Sequence, residues 1–177
     1  VNAVPAALGS QLRHDAGTFG EVVAAHLDAV YAYLVYLTAD RTAAEDLTAE
    51  TFEKAFRGWR RFDPRRGAPR PWLCRIAHSA AVDWFRAEAR RQRREQAFAR
   101  DAVELEESVF AEGPSPELER ALQRLTPAER EVVALRVLLE LDGPSAARVL
   151  GISRTACSTR LSRALKRLEE EMAHARD

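Results

Sequence analysis

Residues 70–94, RPWLCRIAHSAAVDWFRAEARRQRR, narrow the folds open to this chain more than any other stretch, because they read as one long helix with two unlike faces. Pro71 suits a first helical turn, where its missing N–H has no partner to lose. Leu73, Ile76, Ala77, Ala80, Trp84 and Ala87 recur every three or four residues and make an apolar stripe that has to pack against something. Arg75, Ser79, Val82, Arg86, Arg90 and Arg93 recur in the same way and make a second, cationic stripe. Guanidinium groups one turn apart can each meet a phosphate or stack on a base, so this face is either solvated or a polyanion site.

The formal net charge of +0 conceals a strong sorting of charge along the chain. From Arg57 to Arg94 twelve arginines stand against Asp63, Asp83 and Glu88, whereas Asp101 to Glu119 carries seven carboxylates and no cation. A neutral total therefore does not exclude nucleic acid, since the basic block supplies its own local field. No apolar run approaches the length of about 18 residues that a membrane span needs, and the start, VNAVPAALGSQLRHDAG, lacks the blocks of a signal peptide. A cytoplasmic chain without membrane insertion is expected. Cys74 and Cys157 lie far apart and neither belongs to a CxxC pair, so two buried thiols are expected, with no disulfide framework, metal or cofactor.

Residues 1–17 lack periodicity and are expected to form a flexible tail. Thr18 with Glu21 is a capping-box pattern, and Phe19, Val22, Val23, Leu27, Val30, Leu34 and Leu37 keep helical spacing to Thr38. His26 inside it reads as packed or solvent-facing. Thr42 with Glu45 repeats the signal for a helix to about Trp59. There Ala44, Thr48, Thr51, Phe52, Ala55 and Trp59 cluster on one side while Asp46, Glu50, Glu53 and Arg57 fall opposite, a face that is wet or suits a cationic protein partner. Residues 60–69, RRFDPRRGAP, break the helix with two prolines and a glycine. Arginines flanking a phenylalanine make a plausible grip on an unstacked base, with Phe62 as core plug the competing reading.

The acidic, glycine- and proline-bearing segment 96–115 reads as a linker between two folding units, residues 18–95 and 116–177. In the second, Ser115-Pro116 opens a short helix with Leu118, Leu122 and Leu125. Thr126-Pro127-Ala128-Glu129 is a capping box leading into Val132, Val133, Val137 and Leu139. Ala146 to Leu150, a turn at Gly151, and a final helix capped by Ser153 with the stripe Cys157, Leu161, Ala164, Leu165, Leu168 and Met172 follow the helix-turn-helix plan. At about sixty residues this unit buries only roughly 60% of its unfolded surface, so marginal stability in isolation is expected. The fold class is all-α: two small helical domains joined by an acidic linker. Cys74, His78 and Asp83 do not make an enzyme, because side chains on one rigid helix cannot converge on a single reacting atom.

Four stretches in order, AEDLTAETFEKAFRGW (44–59), RPWLCRIAHSAAVDWFR (70–86), LTPAEREVVALR (125–136) and VLGISRTACSTRLSRALKRL (149–168), resemble bacterial RNA polymerase sigma factors of the extracytoplasmic-function type, group 4 of the sigma-70 family. The likeness runs from Phe19 to Leu168. It implies a polymerase subunit that selects promoters and melts the minus-ten element. Asp46, Glu50, Thr51, Glu53 and Lys54 would face the beta-prime clamp of core RNA polymerase, and the second domain the beta flap. Arg61, Phe62, Arg65 and Arg66 would form the pocket for a flipped minus-ten base, with Arg70, Arg75, His78, Ser79, Arg86 and Arg90 on the helix that reads that element. Capturing an extruded base offsets the few kcal/mol, roughly, of unstacking, so strands separate through binding. Arg154, Thr155, Ser158, Thr159, Arg160 and Arg163 would read the minus-thirty-five element in the major groove. Trp72 and Trp84 match the family's core tryptophans, the acidic linker its segment toward the RNA exit path, and an anti-sigma factor is a further implied partner.

The chain departs from the family pattern at Ala77-His78-Ser79, where Ala-Arg-Asn is usual, and at Ser145-Ala146-Ala147, where Glu-Ile-Ala is usual. It departs again at Ala156-Cys157-Ser158, where Thr-Val-Lys is usual. The missing lysine implies weakened or altered minus-thirty-five recognition. A helix-turn-helix repressor whose N-terminal half only oligomerises is the competing function, but it leaves the arginine-rich 57–94 stretch and the Asp46 face without a purpose.

Overall fold

The computed structural model describes residues 6–96 and 116–174, with side chains from Phe19 onward, and among these every regular element is helical. The linker expectation, apart from Gln96, lies outside the described residues.

Helix α1 spans Ala6–Thr38. The expected tail is thus corrected from Ala6 on: Ala, Leu, Gln and Arg dominate those residues, and their high helix propensity carries the helix upstream of Thr18 without an apolar stripe. Thr38 folds back onto the Leu34 carbonyl (2.9 Å) and Ala39 turns the chain at a φ of 54°. Helix α2, Arg41–Gly58, is capped by Asp40, whose carboxylate accepts from the Ala43 N–H at 3.0 Å. The cap is therefore two residues upstream of the Thr42 expected, because an aspartate with extended backbone satisfies the free N–H first.

A short 3-10 turn at Trp59–Arg61 and another at Pro64–Arg66, capped by Asp63, carry the chain into α3, Pro69–Gln96. The three helices pack on one another. Their core holds Leu34, Phe52, Leu73, Ala77 and Ala80 from the three stripes, together with Tyr33 and Leu47 beside them.

The second unit contains α4 (Pro116–Gln123), α5 (Pro127–Val133), α6 (Gly143–Leu150) and α7 (Arg154–His174). The capping box is formed in full: Thr126 Oγ1 accepts from the Glu129 N–H at 3.3 Å and the Glu129 carboxylate accepts from the Thr126 N–H at 2.9 Å. α5 then runs into a π turn at Ala134–Leu138, where the Leu139 N–H donates to the Ala134 carbonyl at 2.9 Å. One extra residue in that turn shifts the register, so Val137, expected inside, is 56% exposed while Leu135, Leu139 and Leu141 are buried. Leu165 likewise lies outside the α7 core, which keeps Cys157, Ala164 and Leu168.

The two units do not stand apart. α6 packs on α3 and the π turn packs on α1, and one apolar cluster runs unbroken from Val30, Leu34 and Ala77 to Val132, Leu135 and Val149. A domain small enough to bury only roughly 60% of its unfolded surface alone gains further cover from its neighbour.

Candidate nucleic-acid interface

The loop after α2 is organised by aromatic rings. Phe62 stacks on Trp59, with centroids 5.1 Å apart and planes within 9°, and meets Trp72 at 4.9 Å. Phe19 closes the ladder against Trp59 at 5.4 Å. Phe62 is therefore a plug on one side. On the other it lines a cleft of about 600 Å³ together with Lys54, Gly58, Arg61, Trp72, Arg75, Ile76 and Ser79. A flat aromatic wall flanked by cations can hold the face of a base and the phosphate next to it. Phe62 is thus packed on one side and lines the open cleft on the other.

This cleft gathers Arg61, Phe62, Arg75 and Ser79 from the expected minus-ten set. Arg65 is exposed on the loop, and the Arg66 side chain lies outside the described residues. Arg86 and Arg90 continue the exposed face of α3, with Arg86 3.5 Å from Asp83. Arg70 is on the opposite side of the helix. Its half-buried guanidinium lies near His26 of α1 and Cys74, and its Nε is buried without a partner. Five residues before Arg75 is about 140° round a helix, so Arg70 cannot share that face, and its place in the DNA set is corrected.

His78 is also turned away from the cleft. It is half-buried, with Nδ1 at 3.4 Å from the hydroxyl of fully buried Tyr33, and burial pulls it below the ordinary histidine value while Glu131 of α5 acts in the opposite sense. Burial pushes the Cys74 thiol up to about 11, which keeps it protonated and removes it as a nucleophile.

Sequence reasoning missed Trp72 and Lys54 as cleft residues. Trp72 matches the family's core tryptophans and is half-buried; Lys54 sits on the polar side of α2, where it pairs with Glu50 at 2.6 Å. On that side Asp46 is exposed and Glu53 pairs with Arg57 at 2.5 Å. Thr51 is corrected out of the docking set: it is 0% exposed and its hydroxyl donates to the Leu47 carbonyl at 2.7 Å.

In the second unit, Gly151 turns the chain at φ 64°, a left-handed position that favours glycine, and Ser153 Oγ accepts from the Ala156 N–H at 3.1 Å to start α7. Arg154, Thr155, Ser158, Thr159 and Arg163 are exposed along one side, and Arg160 is half-buried. Thr155, Thr159, Arg160 and Arg163 border a cleft of about 590 Å³ that also reaches Thr126 and Glu129. Hydrogen bonds from Thr126, first through its backbone, hold the Glu129 carboxyl below its usual range, with Arg167 3.2 Å away. No described helix is long and apolar enough to cross a membrane.

Residues 22–91 match sigma-70 region 2 and residues 115–168 match sigma-70 region 4. The RNA polymerase sigma factor CnrH of Cupriavidus metallidurans is 31% identical over 177 residues, covering 94% of this chain and 90% of CnrH. The sigma factor CarQ of Myxococcus xanthus is 31% identical, covering 86% and 87%. The ECF sigma factor BldN of Streptomyces coelicolor is 33% identical over 87% of this chain, which spans 60% of the length of BldN. Among solved structures, CnrH in complex with the cytosolic domain of CnrY superposes with a TM-score of 0.63 at 28% identity, covering 88% of each chain. The sigma factor RpoE of Bartonella quintana, in complex with the anti-sigma factor NepR, shares the fold with a TM-score of 0.74 at 22% identity, covering 88% and 97%. With both regions matched in order and CnrH and CarQ alike along nearly their whole length, the chain belongs to the bacterial RNA polymerase sigma factors of the extracytoplasmic-function type.

Proposed function

We propose that this sigma factor directs core RNA polymerase to its promoters by three surfaces, of which the cleft at Phe62 is the one that opens DNA. An unpaired minus-ten base stacks on Phe62 and Trp72, Arg61 and Arg75 hold the flanking phosphates, and Arg86 and Arg90 extend the contact along α3. The exposed α2 carboxylates, Asp46 foremost, take the cationic side of the beta-prime clamp, and the second domain takes the beta flap. α7 reads the minus-thirty-five element through Arg154, Thr155, Ser158, Thr159, Arg160 and Arg163. The work is binding throughout, carried out in the cytoplasm without a chemical step of its own. CnrH is seen with the cytosolic domain of CnrY, which supports a masking partner of the anti-sigma type for this chain as well.

The observation that carries this reading is the convergence of two aromatic rings with Arg61 and Arg75 on one open cleft. A repressor needs no such pocket, and none of the relatives named above is one. Core polymerase, this chain and genomic DNA fragments should give transcripts whose start sites share two upstream elements. Arg75→Glu should retain binding to core polymerase and lose those transcripts. Equal loss of both, or transcription undiminished, would overturn the assignment.

A further inference from the structure

Helix α6 is buried over too wide an arc for a helix packed on one side. Ser145, Ala146, Ala147 and Val149 are all covered, spanning about 200° of its circumference. α5 and α7 cover one part of that arc and α3 covers the rest. On the α3 side, Ser145, Arg148 and Val149 enclose a cavity of about 330 Å³ against Arg61, Phe62, Trp72 and Arg75. Those four residues are also walls of the cleft assigned above to the unpaired base. The serine is only 4% exposed, and within α6 its hydroxyl accepts from the Arg148 guanidinium at 3.1 Å, which steadies that cation beside the cavity. Beside it, Tyr33 is sealed under the second domain near His78 and Glu131.

We propose that α6 is a built-in mask for the walls of the base-binding cleft: in the free chain the second domain packs against them from the adjoining cavity, leaving the cleft itself open, and a promoter strand and α6 compete for the same aromatic and cationic side chains. The proposal rests on the reading of that cleft as the base site. Charge makes the mask releasable. Arg61, Arg75 and Arg148 line one cavity whose sole carboxylate among the described residues is Asp63, so closure holds like charges together while an arriving phosphate is drawn in. The departure at Ser145 fits this use, since a small uncharged side chain can lie flat on α3 where a glutamate would be buried beside the pocket.

Val149 belongs to the joint but to none of the DNA-contacting sets, and in the full chain it separates the possibilities. Val149→Lys puts a fourth cation into the cavity and should open the joint; Val149→Gln does so without adding charge. Domain separation is read by small-angle scattering and by a dye pair across the two domains, with helicity confirming that both units stay folded. Affinity is read with a short fluorescent single-stranded oligonucleotide of random sequence. Both variants should open the chain, and both should bind the strand more tightly, by about tenfold if one chain in ten is open at rest. Opening without a gain in affinity, or no opening in either folded variant, would overturn the mask. A gain that Phe62→Ala in the opened chain does not reduce would count against the base pocket and still support masking of the arginines.

Discussion

Replacing Phe62 by leucine separates its two roles. Leucine keeps most of the apolar bulk that plugs the space between Trp59 and Trp72 but removes the ring that stacks at 5.1 Å on one and packs at 4.9 Å against the other. Aromatic pairs contribute about 0.5–1.5 kcal/mol each beyond area burial, and leucine restores part of that by packing, so the first domain should lose about 1–2 kcal/mol. Stacking of one base on an aromatic side chain is worth about 1–3 kcal/mol, so affinity for an unpaired minus-ten strand should fall roughly 5- to 150-fold. The assay is binding of a fork-junction template by the complex of this chain with core polymerase, compared with urea melts of the chain alone. In the complex the mask no longer confuses the readout. A loss of stability with strand affinity within twofold of wild type would make Phe62 a plug only, and the cleft would need another wall.

Thr126→Ala removes one half of the capping box and should cost the second domain about 1 kcal/mol in thermal melts while leaving the first domain's cleft intact; an unchanged melting profile would refute the cap's contribution. Asp46→Arg, on an exposed site of α2, should weaken core polymerase binding without altering the melt, whereas Thr51→Val, fully buried, should do the reverse. His78 lies between Tyr33 of α1 and Glu131 of α5, with Arg148 on the cleft side of α6, and burial lowers its pKa in the closed form. A lowered value means that the unfolded chain binds the proton more readily, so this contribution to folding stability is fully present above the ordinary value of 6.5 and weakens as pH falls below it. The melting temperature should therefore fall between about pH 7.5 and 5.5, and His78→Gln should flatten that part of the profile; an equal fall in the variant would contradict it.

The helices and most of their inward faces were legible because burial imposes a period of 3.6 residues on them, as at Leu73, Ala77 and Ala80. Turn chemistry was legible where a cap is written in adjacent residues, as at Thr126 with Glu129 and at Gly151. What was not legible depended on neighbours distant in sequence. The π turn that expels Val137 leaves no mark in the spacing, since the same apolar residues would serve an ordinary helix. Burial of Ala81 beside the expected α3 stripe comes from cover outside that helix, which no local pattern encodes. Of the cleft, Arg61, Phe62, Arg75 and Ser79 could be read from the basic loop and the cationic stripe. Trp72 could not, because an aromatic residue one turn into a helix carries the same signature whether its outer edge is covered or open. Arg70 is absent from that stripe and entered the set only through the family resemblance, which does not carry its angle on the helix.

The central claim is that this chain holds an unpaired base between Phe62, Trp72 and the arginines beside them. A fluorescent adenine analogue, placed in turn at each minus-ten position of a promoter found with core polymerase, tests it most directly. The account predicts that the analogue at one position stays dim in the wild-type complex, quenched by the rings on which it stacks, and brightens with Phe62→Leu while the other positions do not change. Transcripts that initiate while no position responds to Phe62→Leu would contradict it.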